Sequence, residues 1–490
     1  MYFGEKKHKG NYDQLGQTVK RREFLRSASA VSAGLAFSRA AGLSAKEITL
    51  PNELRSLDPR ATDWEMLDHL RRTIVGYCRN ESNPRNGLIA DRTQPGSPSS
   101  IAAVGMGLSV YIVAVEREIL SRADAVDRTV SLLRFLHSSH QGPEPNATGY
   151  KGFYYHFLDM QTGRRAMQCE LSTVDTAILM AGVLTAASYF TAKSSKESEI
   201  RKLAEILYRR VDWQWALDKG TTISHGWTPE SGFLPYRWDT GYSEAVILYA
   251  LALGSPTFPI DPQGYKEWIS TFEWKNVYDI EYLYAGPLFI HQMSHLWVDF
   301  RGIHDDFNRK TGIDYFENSR RATYIHRQYG IENPRGFAHY SEYVWGLTAS
   351  DGPGPAVLEV NGVRREFFGY EARGAPFGPD DGTISPWAVA TSLPFAPEIV
   401  IKTIRHAIER LELLGRSPYG LVASYNPTYP DTGSNLHAWA SPWIFGLNEG
   451  PILMMIENFH TELIWKTVRR SPYIVKGLRR AGFRDGWLDR

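Results

Sequence analysis

Residues 286–321 read GPLFIHQMSHLWVDFRGIHDDFNRKTGIDYFENSRR, and the fold is decided here. Two apolar-periodic segments flank a polar turn, and both read as helices. His291, His295 and Asp299 recur every four residues, a spacing that puts them on one helical face. The second segment opens at Asp314, a good N-cap, with Glu317 three residues on as in a capping box. A surface helix pair has no need of so many rings, imidazoles and carboxylates. The wall of a polar cavity does.

Outward from this stretch the same pattern repeats. IAAVGMGLSVYIVAVEREIL (101–120), STVDTAILMAGVLTAASYF (172–190) and EAVILYALALG (244–254) are nearly apolar throughout and read as buried helices. DWEMLDHLRRTIVGYCRN (63–80), ADAVDRTVSLLRFLHSSH (123–140), SEIRKLAEILYRRVDWQWAL (198–217) and PEIVIKTIRHAIERLELLG (397–415) are amphipathic. Strand-like pieces are few: FLPYRW (233–238), an extended excursion at 152–165, and VLEVNGVRREFFGYEA (357–372), whose Asn361-Gly362 is a hairpin-turn pair. Buried helices alternating with amphipathic ones predict a closed (α/α)6 toroid, six inner helices ringed by six outer ones. No clean repeat period accompanies it. An open helical solenoid is the alternative.

Composition bounds the partners. Hydrophobic residues make up 43% of 490, enough for one large core or two ordinary ones, and 22% are charged. The formal charge is +1; setting aside the eight basic and three acidic residues of 1–45 leaves −4. That balance offers no footing for nucleic acid or an anionic polymer and points to a neutral substrate. Aromatics reach 13%, with 14 Trp, rings that suit sugar faces as well as cores. Cys78 and Cys169 could form one disulfide or be two buried thiols.

The N-terminus carries Lys20, Arg21, Arg22, Phe24 and Leu25 ahead of a weakly apolar run, SASAVSAGLAF. This resembles a twin-arginine export signal, read by a receptor rather than serving as an anchor. The run is too short for a stable membrane span. Residues 1–45 are therefore set apart as a leader and 46–490 as the folded domain, placed in the periplasm or secreted by the twin-arginine export machinery.

In a toroid the inner helices run the same way, so their N-termini share one mouth. Those ends favour anions. Glu170 and Asp175 stand at the start of one buried helix, with Ser172 as its N-cap and Asp175 as the capping-box partner. Glu244 lies in the first turn of the next, with Trp238 and Tyr242 close before it and Thr240 as the cap. An acid among rings at a buried helix start is partly desolvated, the setting of a general acid. Asp351 in ASDGPG and Asp380-Asp381 in GPDDGTISP lie in Gly-rich loops that could close on a ligand; Ser385 and Pro386 follow as N-cap and N1. Glu457 sits in an apolar helix and must be paired or face the cavity. The histidines at 291 and 295 lack the Glu that zinc hydrolases place after the first, so no metal site is expected.

ELSTVDTAILMAGVL, GYSEAVILYALALGSPT, GPLFIHQMSHLWVDFRG, DYFENSRRAT, YVWGLTASDGP, DDGTISPWAVATSLPFAPE and EGPILMMIENF, in that order, resemble the bacterial glycoamylase-domain proteins, specifically glycoside hydrolase family 144, the endo-β-1,2-glucanases. The resemblance implies an (α/α)6 barrel that cuts linear or cyclic β-1,2-glucan to short sophoro-oligosaccharides with inversion, using no metal or organic cofactor. It also implies that Glu244, in GYSEA, is a pocket acid. Inversion needs an acid and a base roughly 6.5–9.5 Å apart. The expected acid is Glu244; the base is Asp175 or Glu170, then Asp381. Trp238, Tyr242, Trp297, Trp345 and Tyr370 are the expected stacking platforms, while His291, His295 and Asp299 bond sugar hydroxyls or orient the acids. A non-catalytic glycan-binding toroid, a relative with transglycosylase activity or another linkage, and a polysaccharide lyase are the competing readings. The lyase would want a basic pocket in place of these acids.

Overall fold

The computed structural model describes residues 57–430 and 438–489. The twin-arginine motif and the 45/46 boundary lie outside the described residues.

The chain opens with α1 (Asp63–Asn80), started by a true capping box in which Thr62 and Glu65 satisfy each other's backbone N–H groups. α2 (Ile101–Glu116) follows, buried without interruption from Ile101 to Ala114. α3 (Arg122–Ser138) returns amphipathically, α4 (Thr173–Tyr189) is again buried, and α5 (Ser195–Arg210) covers it. α6 (Val246–Gly254) is buried on every residue, α7 (Pro262–Ile269) flanks it, and α8 (Asp306–Thr311) and α9 (Tyr315–Glu332) come next. The second half adds α10 (Pro386–Thr391), α11 (Pro397–Glu409), α12 (Gly446–Thr461), α13 (Leu463–Val468) and α14 (Pro472–Arg480). None of the described helices is long and apolar enough to cross a membrane.

Buried helices form the inner ring. α2 packs on α4, α4 on α6, α10 on α12, and α12 closes back onto α2. The α2–α4 approach is backbone to backbone: a Cβ at Gly182 would stand 2.0 Å from Gly105 O. Between α6 and α10 the ring is completed by residues 288–296. Here the structure departs from the sequence reading. The stretch is two successive 3₁₀ turns, Leu288–His291 and Met293–Leu296, so His291, His295 and Asp299 share no helical face. Neighbouring backbone explains the difference. Leu288 N–H donates to Leu347 O, Phe289 N–H to Thr348 Oγ1, Gln292 Nε2 to Ala388 O, and Ile247 N–H to Ser294 Oγ. Tertiary partners replace the i→i−4 ladder that a helix would need.

A five-stranded antiparallel sheet covers one end of the ring: β1 (Gly149–Tyr150), β2 (Phe153–Tyr155), β3 (Leu171–Ser172), β4 (Gly226–Thr228) and β5 (Gly232–Phe233). Because β3 runs straight into α4, the sheet holds the start of that helix. The hairpin of β6 (Ala356–Val360) and β7 (Val363–Phe367) turns at Asn361 and Gly362, both at positive φ as the Asn-Gly pair requires. Glu457 is buried and bonded bidentately by Arg117. Cys78 and Cys169 are free thiols.

Candidate functional site

The starts of α2, α4 and α12 come together beside the sheet, and acidic side chains come with them. His156, between β2 and the next short strand, is pinned by its backbone: its N–H donates to Glu170 O at 2.9 Å, and Ile101 N–H donates to its carbonyl at 3.2 Å. Its ring stacks on Phe157, 4.1 Å between centroids at 8°. Held that way, Nδ1 donates to Glu170 Oε1 at 2.8 Å and Nε2 faces Asp175 Oδ2 at 3.7 Å. Asp175 is fixed by Ser172, whose Oγ accepts from Asp175 N–H at 3.2 Å and donates to Oδ2 at 2.5 Å. The N-cap read from the sequence is therefore present, and the carboxylate it holds is turned toward His156.

Asp91 reaches the same group from the loop before α2. Gly446 N–H, at the start of α12, donates to its carbonyl. Arg92 Nε lies 3.5 Å from Asp91 Oδ2, and its guanidinium sits over the Phe445 ring at 5.3 Å. Tyr370 packs on Phe445, and its phenol feels the charges of Asp91, Asp351, Arg92 and Asp175. Asp351 accepts from Ser441 Oγ at 3.0 Å and from Gly352 N–H at 3.0 Å.

Burial sorts these groups electrically. It raises the proton affinity of the Asp91 carboxyl, partly opposed by Arg92 and His156, and it does the same at Asp351. At His156 burial alone would expel the proton. The charges of Asp175 and Glu170, the Glu170 hydrogen bond and Asp91 outweigh it and raise the imidazole to about 10. The site thus contains two carboxyls raised by burial and an imidazole set between two more acids.

Of the residues singled out in the sequence, Glu170, Asp175, Asp351 and Tyr370 meet in this group. Several of the others are engaged elsewhere. Asp381 is sealed in a fully buried ion pair: Arg373 Nε and Nη2 donate to its two oxygens at 2.6 and 2.9 Å, with Phe368 and Thr383 N–H adding two more bonds. His291 is wholly buried and bonded to Ala285 O, and His295 to Ser319 Oγ. Asp299 is clasped by Arg301 and Arg469. Trp297 bonds Ser109 and Trp345 bonds Thr403, each almost fully buried. Trp238 stacks on His225 and donates to Thr173, packed behind the start of α4. Tyr242 stacks on Tyr315. All of these rings are core. Thr240 caps nothing, since α6 starts only at Val246. Glu244 precedes that start; Ser294 Oγ donates to its carbonyl, and its charge acts on Tyr242.

Asp91, Arg92 and His156 were not picked out from the sequence. Asp91 carried the right signal, a carboxylate in a Pro- and Ser-rich loop just ahead of a buried helix. His156 carried none beyond being an imidazole inside an aromatic strand. A groove of about 1140 Å³ runs elsewhere, along α1 between Trp64, Arg71, Arg117 and His460. Of the acids that line it, Glu65 is held by Thr62 and Asp68 is paired with Arg71 and Arg72, and basic side chains outnumber them.

The Glycoamylase family model, described as "Putative glucoamylase", matches residues 235–472. A solved structure of the same description from Bacteroides uniformis ATCC 8492 is 30% identical, covers 87% of this chain and 99% of that one, and has a TM-score of 0.76. A β-1,2-glucanase structure from Parabacteroides distasonis is 25% identical over 86% of this chain and 60% of that one, with a TM-score of 0.75. The curated exo β-1,2-glucooligosaccharide sophorohydrolase (non-reducing end) of Parabacteroides distasonis is 27% identical over 453 residues, 86% of this chain. The chain spans 58% of that relative's length.

Proposed function

The chain belongs to the glycoamylase family, and on that premise we propose that it is a glycoside hydrolase that cleaves β-1,2-glucan to short sophoro-oligosaccharides. The observation that carries the reading is the meeting of Asp91, Glu170, Asp175 and Asp351 around His156 and Tyr370 at the shared N-termini of the inner ring. Relatives named as β-1,2-glucan hydrolases supply the linkage.

Two carboxyls are enough for glycoside hydrolysis with inversion, one protonating the leaving oxygen and the other activating water. We draw the pair first from these four acids and keep Glu244 as the alternative acid. Burial raises the carboxyls of Asp91 and Asp351 above the usual aspartate range, the direction a proton donor needs. Tyr370 and Phe445 supply ring surface beside them. The test is turnover of β-1,2-glucan by Asp91→Asn, Glu170→Gln, Asp175→Asn, Asp351→Asn and Glu244→Gln. Loss on the order of hundred-fold or more is expected in at least two of the first four. Wild-type turnover in all four, with the loss confined to Glu244→Gln, would move the chemistry to the Tyr242 side. Binding of the glucan without release of product would identify a glycan-binding toroid.

The export reading rests on KRREFLR (20–26) and the weakly apolar run SASAVSAGLAF that follows it. A reporter fused to residues 1–45 should reach the periplasm only in cells with working twin-arginine machinery.

A further inference from the structure

His156 stands between the two acids that open α4, and both of its ring nitrogens face carboxylate oxygens. A neutral ring would turn a lone pair toward one of those oxygens. A protonated ring donates from Nδ1 to Glu170 at 2.8 Å and keeps an N–H, not a lone pair, toward Asp175 at the ion-pair distance of 3.7 Å. The ring has little freedom to evade this, being stacked on Phe157 and pinned by its backbone between Glu170 O and Ile101 N.

The surrounding groups point the same way. Glu170 approaches from the end of β3, Asp175 from the first turn of α4, and Asp91 from the loop before α2. Arg92 pairs with Asp91, the Tyr370 phenol feels the charges of Asp91 and Asp175, and the Cys169 thiol accepts from Phe157 N–H at 3.2 Å. Burial pushes both that phenol and that thiol up, so neither adds charge at neutral pH. The acids therefore need a cation, and Arg92 is already engaged with Asp91 and the Phe445 face.

We propose that His156 is a positioning residue acting as a fixed imidazolium, holding the Glu170 and Asp175 carboxylates in place beside the sugar and exchanging no proton during turnover. The second half of this statement rests on the hydrolase reading; the charge state does not. With hydrogens on both nitrogens the ring has no lone pair left to act as a base. A histidine in a catalytic pocket is usually read as the acid–base group itself. Here the geometry assigns that work to the acids and gives the imidazole the part of a counter-ion.

Two measurements test it. The first is the ¹⁵N spectrum of histidine-labelled wild-type protein, with the His156 resonances identified by their loss in His156→Gln. Imidazolium resonances persisting at pH 8 are expected, and a neutral tautomer there would overturn the proposal. This arm needs no substrate, so it stands even if β-1,2-glucan proves not to be cleaved. The second is kcat/KM against pH for His156→Gln and His156→Lys. Removing the cation should move the acidic limb upward by on the order of one to three pH units, with kcat falling more than KM rises, and Lys should bring the limb back toward wild type. A uniform loss with the limb unmoved in both variants would reduce His156 to a packing residue. An inactive wild type would instead refute the hydrolase reading, while the ¹⁵N result still decides the charge.

Discussion

Replacing Asp381 by Asn separates a structural role from a catalytic one. Asp381 and Arg373 are both fully buried, and the carboxylate takes two bonds from the guanidinium and two from backbone N–H groups. An Asn keeps the shape but turns an N–H₂ toward a donor and leaves the guanidinium charge uncompensated. Breaking a buried pair in this way costs about 3–5 kcal/mol. Arg373 also donates to Ser350 O at 2.8 Å, next to Asp351, so the loosened guanidinium disturbs the site at second hand. Urea unfolding of Asp381→Asn should therefore show a stability loss of that size, together with a partial loss of turnover. Arg373→Met combined with Asp381→Asn should cost less than the two single changes added. The gap to wild type should also narrow in acid. Burial alone would raise the Asp381 carboxyl, but Arg373 and the hydrogen bonds hold it below the usual carboxylate range. Its stabilisation is thus present above the unfolded value of about 3.9 and is lost as pH falls through the lower folded value. An Asp381→Asn protein with the wild-type unfolding midpoint and abolished turnover would refute this account and restore Asp381 as a candidate base.

Gly182→Ala should destabilise the ring by about 1–3 kcal/mol, because the new Cβ would lie 2.0 Å from Gly105 O and backbone cannot rotate aside. The helix-propensity gain of about 1 kcal/mol does not offset that, and a denaturation midpoint at or above wild type would show that α2 and α4 can separate freely. Stability should also fall steeply on acidification from about pH 6.5 toward 4. Burial lowers His291 to about 4 and both His295 and His326 to about 3, so the unfolded chain takes up protons there that the folded one refuses. Each contributes about 1.4 kcal/mol per pH unit inside its window, fully present above 6.5. His326→Gln should flatten the slope of stability against pH by one share, and an unchanged slope would count against the burial argument.

Much of the fold was legible because apolar periodicity reports burial directly. Residues 101–114 and the helix from Thr173 read as inner elements and are. Ser172 was readable as a cap and Asn361-Gly362 as a turn, since both follow from local backbone demands. Glu457 had to be paired, and Arg117 pairs it. The stretch at 286–300 defeated the same logic. Its four-residue spacing is helical, yet residues 347–348, Ile247 and Ala388 take up its hydrogen-bonding groups and draw it into 3₁₀ turns.

Helix starts told the same story for the site. Reading acids at the openings of buried helices found Glu170 and Asp175, since a capped first turn is a local signature. It could not weigh Glu244 against Asp91, or see that Asp381 faces Arg373 instead of a cavity. By itself, then, the sequence determined which segments are buried, where the local caps and turns fall, and that acids gather at the helix openings, because each depends on neighbours a few residues away. Tertiary structure alone decided which acids meet at His156 and which are spent in the core. That depends on contacts between residues tens to hundreds of positions apart, such as Asp91 with Gly446 and Asp351 with Ser441, which appear only once the ring has closed.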